Sequence, residues 1–208
     1  MAQLSCGQDV VENEPFIPYA DPNKLPVAVK EKLDAYMGRM GFLPNALKLY
    51  MHRPEIAGVL WTLNDTIMRD SSSVLDQQLK RKLALVSSKV NGCQYCTTHH
   101  CTIVKRPTDR LDEGWGLEQE DVDALLNNQY QARDEKESIC FDFVVAASME
   151  ADNIEDAIYT RLKQHLTPEE IVELASLVGF WKMYNTIHDS LRVPIEVALL
   201  EESRHVGL

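Results

Sequence analysis

Apolar residues recur along this chain at intervals of three and four, the spacing of a helix with one buried face. From Val27 the positions Val29, Leu33, Tyr36 and Met37 form such a stripe, and Gly41-Phe42-Leu43-Pro44 ends it. A short helix is predicted over Asn45 to Tyr50. His52-Arg53-Pro54-Glu55 then opens a longer one, with Pro54 in the first turn and Ile56, Val59, Leu60, Leu63, Ile67 and Met68 on one stripe. Ser71-Ser72-Ser73 breaks it. Asp76 can cap the next helix, which carries Leu79, Leu83 and Val86 up to the Asn91-Gly92 pair.

Further helices are predicted over 118–128, 134–150 and 155–165, and no strand pair or internal repeat stands out. In Leu166-Thr167-Pro168-Glu169-Glu170, Thr167 is placed as an N-cap, Pro168 at the first helical position and Glu170 to complete a capping box. The helix that follows carries apolar residues from Ile171 to Ile187 around nearly its whole circumference. That pattern predicts burial on all sides, either at the centre of the bundle or in part against a second subunit. Residues 1–23 lack a helical period and read as an extended or loosely attached arm; residues 24–208 read as one all-helical domain. A polar stretch over 107–117 reads as a loop, with Trp115 either closing over a neighbouring surface or anchoring the loop.

Composition adds exclusions. The chain has 208 residues, 45% of them apolar, and a formal charge of −11, which disfavours nucleic acid and anionic membrane surfaces as partners. The N-terminal stretch has no basic and apolar leader pattern and no run is long enough to span a bilayer, so a cytosolic location is expected. Five cysteines form an odd set, three of them within nine residues, which points to chemistry rather than stapling.

The chemistry lies in Asn91-Gly92-Cys93-Gln94-Tyr95-Cys96-Thr97-Thr98-His99-His100-Cys101. At about 100° per residue, Cys93 and Cys96 lie about 60° apart, and His100 returns to within about 20° of Cys93. A thiol in the first turn of a helix meets free backbone N–H groups and the positive end of the dipole, which favour its thiolate; a histidine in register can take the proton. Two cysteines three apart can close a disulfide. The alternative is a structural zinc site in which His99 or His100 joins both cysteines. His99 faces away from Cys93 and either assists Cys96 or packs. Cys6, Cys101 and Cys140 read as small buried residues. Asn185, His188 and Asp189, within one turn of the apolar C-terminal helix, read as hydrogen-bonding links between helices or subunits, with a catalytic role as the alternative. Lys80-Arg81-Lys82 reads as a solvated face.

The Cys93-to-His100 pattern after an Asn-Gly pair resembles the motif of the alkylhydroperoxidase D-like family within the carboxymuconolactone decarboxylase superfamily. Gly41-Phe42-Leu43-Pro44-Asn45, His52-Arg53-Pro54-Glu55 and Tyr184-Asn185 through Val193-Pro194-Ile195-Glu196 resemble its peroxidase-related branch. The resemblance implies an all-helical bundle with the cysteine pair at a helix start, trimers or hexamers, and reduction of a hydroperoxide or a partner disulfide without metal or organic cofactor. Carried over by position, Cys96 attacks, His100 is its base and Cys93 resolves. The family's relay glutamate, twelve residues before the first cysteine, is replaced by Arg81, which cannot relay a proton but can stabilise a thiolate. The residue between the cysteines that is histidine in the family is here Tyr95. A lactone decarboxylase of the same superfamily and a zinc-stabilised binding protein remain the alternatives.

Overall fold

The computed structural model describes residues 14–106 and 116–206. Among these residues the chain is all helical, with no strand: α1 Val27–Met40, α2 Asn45–Tyr50, α3 Pro54–Arg69, α4 Gln77–Val90, α5 Gln94–Lys105, α6 Gln119–Leu126, α7 Glu135–Met149, α8 Asp156–His165, α9 Pro168–Ser190 and α10 Leu200–Val206. The starts follow their caps. Asp76 and Asp134 accept from the backbone N–H of Leu79 and Glu137, and Thr167 and Glu170 close a reciprocal capping box on α9. Gly41, at φ 79°, ends α1 in the left-handed conformation that suits glycine.

Two apolar clusters fill the interior. One surrounds α4, where Leu79, Leu83 and Leu85 meet Ile139 and Val144 of α7 and Leu174 and Leu177 of α9. The other joins Leu33, Ala46, Leu49 and Leu60 of the first three helices to Cys93, Tyr95 and Cys96. Met183 and Tyr184 of α9 pack against both, so the cysteine turn lies at the seam.

Two expectations need correction. Lys80, Arg81 and Lys82 are buried, not solvated, because α4 is covered on every side. The Lys80 ammonium spends its three protons on the Ile67 carbonyl at 2.8 Å, the Ser73 hydroxyl at 2.6 Å and the Glu173 carboxylate at 3.0 Å. Lys82 bonds the Tyr130 hydroxyl and reaches Glu137 at 3.1 Å. Conversely, α9 is not buried all round. Val172, Ala175, Ser176, Gly179, Lys182 and Thr186 form an exposed stripe at helical spacing. Small residues made that stripe hard to tell from the core.

Residues 14–23 run along the bundle and are fastened to it: Phe16 N–H bonds the Leu191 carbonyl, Ala20 N–H the Lys48 carbonyl, and the His52 ring meets the Pro18 carbonyl at 2.7 Å. Residues 1–13, with Cys6, and residues 107–115, with Trp115, lie outside the described residues.

Lys80→Met leaves Glu173 and two further acceptors without their cation. It should lower the unfolding free energy in urea by about 3 kcal/mol, the usual cost of breaking a buried ion pair. Lys30→Met, on the exposed face of α1, should stay within about 0.5 kcal/mol of the parent.

Candidate functional site

Gly92, at φ 77°, turns the chain sharply between α4 and α5. Cys93 N–H bonds the Ser88 carbonyl, and Cys93 itself becomes the N-cap of α5, its sulfur accepting from Cys96 N–H at 3.4 Å. Cys96 is therefore in the first turn. Its sulfur faces α9, where His188 Nδ1 lies 2.9 Å away. The Asn185 side chain also lies near Cys96, and the Asp189 carboxylate near the Cys93 thiol. Asn91 Nδ2 donates to Asn185 Oδ1 at 2.8 Å and Asn185 Nδ2 to Ser88 Oγ at 3.1 Å, which lock α9 onto the turn that carries the cysteines.

The imidazole in contact with the Cys96 sulfur is thus His188, from 92 residues along the chain. His100, which the sequence pairs with the thiol, is buried with its ring edge-on to Trp181 at a centroid distance of 4.2 Å. Neither of its ring nitrogens hydrogen-bonds protein among the described residues. Only a three-dimensional arrangement could reveal the His188 contact. Its one signal in the sequence is the polar set Asn185, His188 and Asp189 on an otherwise apolar helix.

The electrostatics differ from the thiolate expected of a helix start. Burial, followed by the neighbouring Cys93, pushes the Cys96 thiol well above its ordinary value, although the nearby Asn185 side chain pulls the other way. Burial also lowers His188 to about 3, and burial with the nearby Arg81 charge depresses His100. The resting pair is a thiol beside a neutral imidazole.

The other residues singled out from the sequence converge on the same place. Arg81, Tyr95, His99 and His100 line one cavity with Cys96 and His188, of about 130 Å³. Glu196, delivered by the segment after α9, joins them: its carboxylate accepts from Tyr95 Oη at 2.8 Å, from Asn45 N–H, and meets His99 Nε2 at 2.7 Å. Cys101 and Cys140 are buried in the α4 core, their thiols pushed up to about 12 by burial, as small core residues should be. For a metal, Cys93, Cys96 and His188 offer three donor atoms within 4.8 Å of one another; His99 and His100 do not belong to that group.

No family model and no curated protein sequence matches the chain. Solved structures do. An alkylhydroperoxidase D core, an uncharacterized peroxidase-related protein from Ralstonia eutropha JMP134, superposes with a TM-score of 0.75 at 17% identity over 95% of this chain and 98% of its own. A peroxidase-related protein from Silicibacter sp. TM1040 gives 0.76 at 20% over 95% and 97%. The debrominase Bmp8 gives 0.71 at 21% over 86% and 92%, and a cysteine-to-alanine variant of it was solved with 2,3,4-tribromopyrrole. These likenesses define the class, an all-helical bundle shared by peroxidase-related proteins and a debrominase. This chain has the alkylhydroperoxidase D-like fold, with its cysteine pair at the start of a helix.

Glu196 ties together the start of α2, α5 and the chain beyond α9. Burial opposes its ionisation, but the bonds from His99, Asn45 N–H and Tyr95 prevail and hold the carboxyl below the ordinary 4.5. A group so lowered adds stability above its unfolded value and loses it as pH falls through the folded one. Glu196→Gln should therefore cost about 1–3 kcal/mol at pH 7. Chemical denaturation from neutral pH down to about pH 3 should show the gap to the parent shrinking below the unfolded value near 4.5.

Proposed function

We propose that this chain is a thiol-dependent oxidoreductase of the peroxidase type, in which Cys96 attacks a small hydroperoxide, His188 takes its proton and Cys93 resolves the product. The observation that carries the reading is the 2.9 Å contact between Cys96 Sγ and His188 Nδ1, with the Cys93 sulfur beside it. As the Cys96 proton passes to His188, sulfur attacks the terminal peroxide oxygen. The O–O bond breaks, Cys96 becomes a sulfenic acid, and the proton leaves with the alkoxide as an alcohol. The Cys93 thiol then displaces hydroxide from the Cys96 sulfur; the hydroxide takes the Cys93 proton and leaves as water, closing a disulfide that an external thiol reduces.

Cys93 and Cys96 are 0% and 3% exposed, which favours a small oxidant over a protein disulfide. Arg81, in place of the relay glutamate, supplies no proton; of the two buried imidazoles it is His188, not His100, that touches the Cys96 sulfur, which suits His188 as the base. The chemistry needs no metal or organic cofactor. The free cysteines among the described residues suit a reducing cytosol, where no helix of the described chain is long and apolar enough to cross a membrane. The exposed stripe on α9 suits assembly into a trimer or hexamer.

A second reading rests on the three clustered donors: a zinc ion held by Cys93, Cys96 and His188 would make the same turn structural. Metal analysis separates the two, since one zinc per purified chain removes the redox function. A lactone decarboxylase needs no cysteine pair, so Cys93→Ser would leave it active.

Peroxide added to the reduced protein should consume two thiols per chain, and none in Cys96→Ser. His188→Ala should slow the reaction about 100-fold or more, the usual worth of a positioned base, and His100→Ala by less than about tenfold. The opposite order, followed by stopped-flow, would return the base role to His100.

A further inference from the structure

The cavity above Cys96 has walls that a hydroperoxide group alone does not require. Tyr36 and Trp61 meet edge to face at 5.2 Å, and the Tyr50 ring stacks on His188 at 5.7 Å and 23°. Tyr184 and Trp181 continue the lining. Cys96, His100 and His188 are buried at the inner end, while Tyr36, Leu47 and Trp61 are half-buried at the outer end, where a molecule would enter.

Size and polarity narrow what fits. A volume of about 130 Å³ is close to the roughly 150 Å³ of a cavity known to hold benzene. That is room for one ring. Buried polar atoms normally have partners, yet Tyr50 Oη, Trp181 Nε1, His188 Nε2 and both ring nitrogens of His100 bond no protein atom among the described residues. All four residues line the cavity. Aromatic faces and edges around a few unspent polar groups are the makings of a site for a planar ring with an oxygen substituent.

We propose that this cavity binds a single aromatic ring, so that the molecules presented to Cys96 are small aryl compounds. Resting on the peroxidase reading, this makes the substrate an aralkyl hydroperoxide, whose ring lies among Tyr36, Tyr50 and Trp61 while its O–O group reaches the sulfur. The O–O bond breaks, the terminal oxygen passes to Cys96, and the aralkyl alcohol leaves with the Cys96 proton.

The test uses the reduced full chain and 2-phenyl-2-propanol, an alcohol inert to thiols, with tert-butanol as its ringless counterpart. Alkylation of Cys96 by iodoacetamide is followed by mass spectrometry. The phenyl alcohol should slow it saturably, at least fivefold, where tert-butanol at the same concentration does not, and Trp61→Ala should weaken the protection. Absence of protection, or equal protection by both alcohols, overturns the ring site. Cumene and tert-butyl hydroperoxides, which share the tertiary carbon and differ by phenyl for methyl, then test the chemistry: the first should react with a kcat/KM at least tenfold higher. If neither hydroperoxide oxidises the thiols while the phenyl alcohol still protects Cys96, the ring site stands and the peroxidase reading falls.

Discussion

The site depends on one contact between distant parts of the chain, the 2.9 Å approach of the Cys96 sulfur to His188 Nδ1. Neither residue can be placed by its own helix alone. α5 sets the sulfur in its first turn, α9 brings the ring, and the polar ladder through Asn91, Asn185 and Ser88 fixes the distance between them. The apolar clusters meet along α9 at Met183 and Tyr184, one turn before His188, so packing on both sides of the seam holds the pair in register.

Burial gives this pair its character. A thiol in the first turn of an exposed helix would ionise readily. Here burial acts against the helix start and raises the Cys96 thiol, which favours the protonated sulfur. The α4 cations show what the same low-dielectric interior demands elsewhere: Lys80 and Lys82 are tolerated there because each meets a carboxylate and further hydrogen-bonding oxygens. Around the cysteine turn, by contrast, Tyr50 Oη, Trp181 Nε1, His188 Nε2 and both ring nitrogens of His100 have no hydrogen-bond partner among the described residues.

Local structure was largely legible in the sequence, because caps and breaks are short-range. Asp76, Thr167, Pro168 and Glu170 act as their positions predict, and Asn91-Gly92 gives the turn before the cysteine helix. The cysteine pair and the fold were legible through the motif. What escaped was long-range. Helical periodicity places His100 on the face of Cys93 but says nothing of a ring arriving from α9. It also treats Lys80-Arg81-Lys82 as solvent-facing, since no local signal announces Glu173, Glu137 or Tyr130 as partners. Glu196 escaped as a site residue for the same reason: its bonds to His99 and Tyr95 span about a hundred residues.

The central claim, that Cys96 is the attacking sulfur with His188 as its base, is tested most directly by trapping the sulfenic acid. In Cys93→Ser no resolving thiol remains, so peroxide followed by dimedone should label Cys96, and the label should form far more slowly when His188→Ala is added. Labelling that is unaffected by the loss of His188, or no labelling of Cys96 at all, would contradict the account.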